Sequence, residues 1–402
     1  MFIELHILQN FAPSNLNRDD TNAPKDCVFG GFRRARISSQ CIKRSIRTHD
    51  VFKNTIKEAG GDLGIRIKRF IKALSDKLKD RGKDEAVSII AAENILKCLG
   101  IGKTEEQKSE YLLYIGSDEL DHFVKLITEN GNWDLMSQPP NVKLEHEGGN
   151  KKGKKKTQKE LKKDYKASFP DKLQKEFAKV ISQNKKNARS YAADIALFGR
   201  MLADNKNMNV DAACQVAHAI STNEVEMKMD FYTAVDDLLP DEESGSDMMG
   251  IVEFNSSCYY RYALINYDLL KKNLGNDTQM ADAAVTGFIK AAVQSVPTGM
   301  QNSTAPQNPP SYVHALVRTE GAPWSMANAF IHPVRPGRNE GEDLITRSVN
   351  ELEKYFSALK DNYSDKGIKS DPISTVFLPN RKDKRFVDLI QETQTALKNG
   401  SQ

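Results

Sequence analysis

The chain has 402 residues, a hydrophobic fraction of 39% and a formal net charge of only +4, so any affinity for nucleic acid must come from how charge is distributed, not from its total. No apolar run approaches the ~18 residues needed to span a bilayer, and 1–6 carries no basic region before an apolar stretch, which excludes a membrane span and a signal peptide from the expectation. Five cysteines (Cys27, Cys41, Cys98, Cys214, Cys258) without CxxC spacing argue against a zinc site or a disulfide framework and for reduced thiols in a cytoplasmic protein.

In chain order, residues 2–8 (FIELHIL) put Ile3, Leu5 and Ile7 on one side of an extended segment, which predicts a first strand. The stretch 16–49 follows. It sets Lys25, Arg33, Arg34, Arg36, Lys43, Arg44 and Arg47 against Asp19, Asp20 and Asp26, with no acid from Cys27 to His49. It reads as a loop, a Gly30-Gly31 pair and a helix start, with Ser38 as the N-cap. Gln40, Lys43, Arg44 and Arg47 then share one helix face, while Ile42 and Ile46 point into a core. First-turn N–H groups beside a cationic stripe suit a row of phosphates; a solvated basic face is the simpler alternative.

From 51 to 186 helical periodicity dominates, around Ile65-Ile67-Phe70-Ile71-Leu74, Ile89-Ile90-Ile95-Leu96-Leu99, Leu112-Leu113 and Phe123-Val124-Ile127. Within it, 150–166 holds nine lysines and reads as a mobile loop, either solvating or contacting duplex DNA without sequence preference. In Gly199-Arg200-Met201 the expectation is a backbone hinge, a phosphate partner and a polarizable apolar wedge, against the alternative that Met201 is core. Residues 214–252 look like two arms: alternation at Val225, Met227, Met229 and Phe231 favours a strand, and Pro240 followed by acids, Ser244 and Gly245 makes a polar turn. Tyr260 and Tyr262 alternate with Tyr259 and Arg261, so one pair of rings could stack bases while the other packs inward. A helix around 278–295, a loop at 297–304, a helix at 344–363, a short strand and a final helix complete the chain. Seven histidines form no nucleophile motif, and Gly30-Gly31 is not a Walker A loop.

The motifs Asn17-Arg18-Asp19-Asp20, Lys25-Asp26, Phe29-Gly30-Gly31, Arg33-Arg34, Arg36-Ile37-Ser38-Ser39-Gln40 and Lys43-Arg44 resemble one family, the CasC-type backbone subunits of the type I-E CRISPR surveillance complex, Cascade, within the RAMP superfamily. So do 194–201 (DIALFGRM), 217–222 (AHAIST), 231–238 (FYTAVDDL), Tyr260-Arg-Tyr262 and 325–330 (SMANAF), in the family's order. The resemblance implies an α+β fold: an RRM-like (ferredoxin-like) palm at 1–50, 187–213 and 253–402, a helical fingers insertion at 51–186, and a hairpin-like thumb at 214–252. It implies a non-catalytic subunit that polymerises along a CRISPR RNA and presents it for pairing with target DNA, with copies of itself and other Cascade subunits as partners, and with no cofactor, metal or membrane. The RNA-binding residues expected are Arg18, Lys25, Arg34, Arg36, Ser38, Gln40, Lys43, Arg44, Arg47, Arg200 and the wedge Met201. The acidic 236–247 tip is expected to be a solvated turn or to meet a neighbouring subunit's palm. Family members often carry a basic residue in the 297–304 loop, where this chain has Met300 and Asn302. Two alternatives stand beside this reading: a guide-associated ribonuclease using Asp19, Asp20 or Asp26, and a general single-strand RNA-binding protein.

Overall fold

The first strand runs further than its alternation suggests, from Phe2 to Ser14, and lies in the middle of a sheet. A computed structural model describes residues 1–129, 131–139, 168–181, 192–202, 206–234, 248–339, 341–364, 366–376 and 383–400. The lysine-rich 150–166 stretch and the acidic 236–247 tip lie outside them. Two units are distinguished: unit 1 is Met1–Thr55, Cys214–Asp268 and Asp282–Gln402, and unit 2 is Ile56–Ala213 with Leu269–Ala281.

The strands among the described residues are β1 (Phe2–Ser14), β2 (Asp26–Phe29), β3 (Phe32–Ile37), β4 (Gly64–Ile67), β5 (Leu113–Gly116), β6 (Cys214–Val216), β7 (Ala219–Ser221), β8 (Lys228–Ala234), β9 (Met248–Asn266), β10 (Tyr312–Arg318), β11 (Ile368–Ser370) and β12 (Ile373–Thr375). In unit 1 they form an antiparallel sheet of order β11-β10-β1-β9-β7-β3-β2, with β12 on β10 and β6 and β8 on β9. Both neighbours hold β1 in register, Leu5 facing Ala315 on one side and Ala263 on the other. Ile3, Leu5 and Ile7 are buried as their spacing predicts, but Glu4 and His6 on the opposite face are buried too. The reason is a second layer. Tyr260, Met326, Phe330, Leu352 and Phe356 form an apolar cluster with Leu8, and the helix Leu344–Tyr363 contributes to it.

Most of the polar groups under that layer are paired, while His6 Nε2 and Arg318 Nη2 are buried without a hydrogen-bond partner. Arg318 Nε donates to Glu4 Oε1 at 2.8 Å, and the Trp324 N–H donates to Glu4 Oε2 at 2.5 Å. The Arg318 guanidinium also stacks on the Trp324 indole, 4.0 Å from its centroid. The Tyr260 hydroxyl accepts from the Met326 N–H at 2.9 Å and lies 2.8 Å from His6 Nδ1. Burial, with smaller effects from His314 and Arg318, holds the His6 pKa well below the usual imidazole value.

The unfolded chain takes a proton at His6 below about pH 6.5, while the folded chain refuses it until a lower pH. Stability is therefore full above that pH and falls as pH drops through it, by up to about 1.4 kcal/mol per pH unit for this group. Urea midpoints measured from pH 7 to 5 should fall, and His6→Gln should flatten the fall. An unchanged slope in H6Q would assign the acid sensitivity to other groups.

Unit 2 is mainly helical. Phe70–Lys79, Glu85–Cys98, Ser117–Thr128 and Asp171–Ile181 enclose a core that includes Leu74, Ile95, Phe123 and Phe177. Phe123, Val124 and Ile127 line one buried helix face, as their spacing predicts. Ile65, Ile67 and Leu113 are not helical. They sit in the two-stranded β4–β5 sheet, where Ile65 pairs with Ile115 and Ile67 with Leu113. Short apolar runs do not distinguish a helix from a strand, and here pairing across nearly fifty residues decided.

Candidate nucleic-acid interface

The basic stretch of unit 1 is a hairpin followed by a helix. β2 and β3 pair with Phe29 opposite Phe32, leaving Gly30 (φ +62°) and Gly31 (φ +84°) as a two-residue turn. Both positions need the left-handed region, which glycine enters without strain. A Cβ on Gly30 would also fall 2.0 Å from the Ile331 carbonyl oxygen. The Gly30-Gly31 pair is thus a tight turn packed against 331, between two strands that the sequence reading did not include. Strands of four and six residues carry too little alternation to be read from sequence.

The helix α1 spans Ser39–Thr48 and is capped as expected: Ser38 Oγ accepts from the Cys41 N–H at 3.2 Å. Ile42 and Ile46 are buried; Gln40 and Arg44 are exposed, and Lys43 and Arg47 are partly so. Asn17 ties the preceding loop to this helix start. Its Oδ1 accepts from the Ser38 N–H at 2.8 Å, and its carbonyl accepts from the Lys25 N–H at 2.9 Å. Arg18, exposed, and Lys25 are thereby held beside Ser38 and Gln40. Asp19 closes the turn between them, accepting from Thr21 N–H and hydroxyl and from the Ala23 N–H; the Thr21 hydroxyl bond is the largest cause of its lowered pKa. Asp26 pairs with Arg33.

One donor expected to be free at the helix start is taken. His218 Nδ1 accepts from the Ser39 N–H at 3.1 Å and lies 3.4 Å from Arg36 Nη1. Arg36 Nε donates to the Asp26 carbonyl at 3.1 Å. Asn17 and His218 are thus parts of the site that sequence reasoning passed over. The signal was weak, since Asn17 acts through its backbone neighbours and His218 lies 179 residues from its partner Ser39.

Two expected phosphate ligands are corrected. Arg34 is 0% exposed, and its guanidinium donates to the carbonyls of Ser221 (3.0 Å), Thr222 (2.8 Å) and Phe330 (2.7 Å). It fastens β3 to the end of β7 and to the 330 turn, and no face of it reaches a ligand. Replacing it with lysine, which lacks the planar fork, should lose about 2 kcal/mol of stability by urea unfolding. The salt dependence of nucleic-acid binding should be unchanged in R34K; a flatter slope would restore Arg34 as a phosphate contact.

The second is Arg200, in unit 2. It is buried and donates to Glu119 Oε2 at 2.8 Å, to the Met208 carbonyl at 3.0 Å and to the Tyr114 carbonyl at 3.2 Å. Gly199 (φ +76°) is a close-approach position, since a Cβ there would lie 2.8 Å from the Val210 carbonyl oxygen. Met201, next in sequence, is 84% exposed and is not a core residue.

The tyrosine platform is corrected as well. Tyr259 and Tyr260 are buried, Tyr262 is half-buried with its hydroxyl on Glu4, and Arg261 is buried on the other face. Neither face of the sheet at these positions is open for base stacking. The two arms of 214–252 do pair: β8 runs antiparallel to the first part of β9, from Lys228 opposite Phe254 to Ala234 opposite Met248. Met229, Phe231, Met249 and Ile251 project from one side of this ribbon and are exposed. Among the described residues, no group of three or more His, Cys, Asp or Glu side chains could hold a metal ion. No helix among them is long and apolar enough to cross a membrane.

These features define a mixed α/β protein with a large antiparallel sheet and one edge dressed in a basic hairpin, loop and helix. The family profile of the CT1975-like protein matches residues 3–394. The chain belongs to that family of Cas proteins, and the likeness to Cascade-type subunits read from its motifs stands. A solved structure described as a CRISPR RNA-guided surveillance complex, pre-nicking, contains a chain 26% identical to this one, with 99% of this chain and 100% of that chain covered and a TM-score of 0.75. A second, described as a CRISPR RNA-guided surveillance complex, contains a chain 24% identical, covering 98% and 100%, with a TM-score of 0.68, and shares the fold. No curated protein matches the chain.

Proposed function

We propose that this protein is a non-catalytic backbone subunit of a type I-E Cascade complex, which polymerises along a CRISPR RNA and presents it for pairing with target DNA. The observation that carries this is the α1 stripe: Gln40, Lys43, Arg44 and Arg47 lie outward on a helix whose start is tied by Asn17 to the loop bearing Arg18 and Lys25. With the sheet faces closed, RNA would be held by its phosphates, independent of sequence, and base pairing would supply the reading. The RNA-guided complexes among the structural relatives support a guide RNA as the ligand.

In unit 1 the order β10-β1-β9-β7 has α1 between β1 and β7 in sequence and the helix Thr278–Gln294 between β9 and β10, which favours an RRM-like palm. The exposed Met201 suits a base wedge, and the exposed apolar ribbon of β8 and β9 suits a thumb that closes over RNA on a neighbouring copy. Ribonuclease action is disfavoured because Asp19 is engaged in its own turn and Asp26 with Arg33, and because among the described residues Asp20 joins no group of three acids, histidines or cysteines that could hold a metal for assisted cleavage. Cytoplasmic residence, other Cascade subunits and target DNA paired to the guide belong to the same proposal.

The test is purification of the protein from its native operon followed by sequencing of the bound RNA. Uniform short RNAs with repeat-derived ends are expected. A heterogeneous pool would favour a general single-strand binder, and RNA cut at regular intervals would favour the ribonuclease.

A further inference from the structure

β3 and β7 pair antiparallel, with Arg36 opposite Ile220 and Ile37 opposite Ala219. One step further in that register puts His218 beside Ser38, where the strand gives way to α1. The backbone is held from its other side as well, because the Ala217 N–H donates to the Tyr262 carbonyl at 2.9 Å. His218 therefore stands at a fixed position at the start of the cationic helix.

Its ring is oriented by two groups that can only donate. The Ser39 N–H lies 3.1 Å from Nδ1, and Arg36 Nη1 lies 3.4 Å from it. Neither a backbone N–H nor a guanidinium has a lone pair to offer. These two donors assign Nδ1 as the acceptor, and the proton of the neutral ring then sits on Nε2. The two nitrogens of an imidazole point in nearly opposite directions, so Nε2–H is aimed away from the backbone of α1. His218 is exposed, and among the described residues nothing accepts from Nε2.

The neighbours of this donor are fixed too. Arg36 Nε donates to the Asp26 carbonyl at 3.1 Å, and the Asp26 carboxylate is engaged with Arg33. From Cys27 to His49 there is no acid to compete for the proton. A row of phosphates following Arg47, Arg44, Lys43 and Gln40 back to the helix start would next meet Arg36 and His218.

We infer that His218 is a further contact to the RNA backbone, its Nε2–H donating to a phosphate oxygen while Nδ1 holds the ring against Ser39 and Arg36; this rests on the proposed binding of RNA by α1. The donor is neutral. It adds affinity without releasing a counterion, unlike the lysines and arginines around it.

Two substitutions separate the ends of the ring. Asparagine puts an amide oxygen where Nδ1 was and keeps the bond from Ser39, but is too short to reach outward. Glutamine carries an N–H to the position of Nε2 and gives up the inner bond. Fluorescein-labelled poly(U) is titrated against the full chain as wild type, His218→Asn, His218→Gln and His218→Ala at several salt concentrations, with thermal melts giving the folded fraction. H218N and H218A should each bind about 10-fold more weakly, H218Q should stay within about threefold of wild type, and the salt slope should be the same in all four. The reverse order, with H218N intact and H218Q as weak as H218A, would reduce His218 to a helix cap and overturn the inference. Tighter binding by H218A would overturn it too, since the ring would then be occupying a place that phosphate takes. A loss seen with poly(U) but not with poly(dU) would overturn the phosphate as the acceptor. The charge reversal Lys43→Glu with Arg44→Glu is the control. A loss there with H218N unaffected overturns this inference alone, whereas no loss in any variant removes α1 itself from the interface.

Discussion

Reversing two charges on α1, Lys43→Glu with Arg44→Glu, should weaken RNA binding by about 100-fold or more near physiological salt and leave the protein folded. Each phosphate neutralised on a single strand contributes about −0.7 to the slope of log K against log salt, so losing two contacts should flatten that slope by about 1.4. Reversal adds repulsion to the loss. Stability should stay within about 0.5 kcal/mol, because Arg44 is exposed, Lys43 lies on the outer side, and α1 is anchored from beneath by Ile42 and Ile46. Arg47 is left alone in this test because its Nε is buried. Fluorescence titration at several salt concentrations, beside a thermal melt, separates the two effects. Unchanged affinity with an unchanged melt would remove α1 from the interface, and a lost melt would show that the stripe is structural.

Glu4→Ala should destabilise the protein by about 3–5 kcal/mol, since it leaves Arg318 charged and buried without its carboxylate. For a unit of this size that corresponds to a fall in Tm on the order of 10 °C. The pair is not simply favourable: burial raises the Glu4 pKa above its usual value, and Arg318, the Trp324 N–H and Tyr262 pull it back only in part. Replacing both members with apolar residues, Glu4→Leu with Arg318→Met, should therefore recover most of the loss. A double variant as unstable as E4A would mean that the Trp324 N–H and the indole stacking, not the ion pair, hold that layer. RNA affinity per folded molecule should not change in either variant, because this pair is on the face of β1 opposite Ile3, Leu5 and Ile7, which line the side that α1 covers.

What could be read without coordinates was local. The Ser38 cap, the burial of Ile42 and Ile46 and the outward row from Gln40 to Arg47 depend on contacts within one or two helical turns. The periodicity of one segment contains all of that information. The pairing of β8 with the first part of β9 was legible for a similar reason, since the alternation at Met229 and Phe231 marks the segment itself. Family motifs spread along the chain carried the rest.

Tertiary structure alone decided which charged and aromatic side chains were available. Arg34 and Arg36 are two residues apart in one basic run, yet Arg34 is consumed by carbonyls near 221 and 330 while Arg36 stays at the surface. Arg200 was drawn in by Glu119, and Tyr260 by His6 and the Met326 N–H, partners 81, 254 and 66 residues away. Glu4 and His6 look like the wet face of an edge strand until β10, β9 and the helix Leu344–Tyr363 close over them. A side chain's charge and size are written in the sequence, but its access to solvent depends on which distant backbone groups arrive beside it. For this protein the sequence determined where the cationic helix begins and which way it faces; the packing of the sheet determined which of the neighbouring cations are left to meet a phosphate.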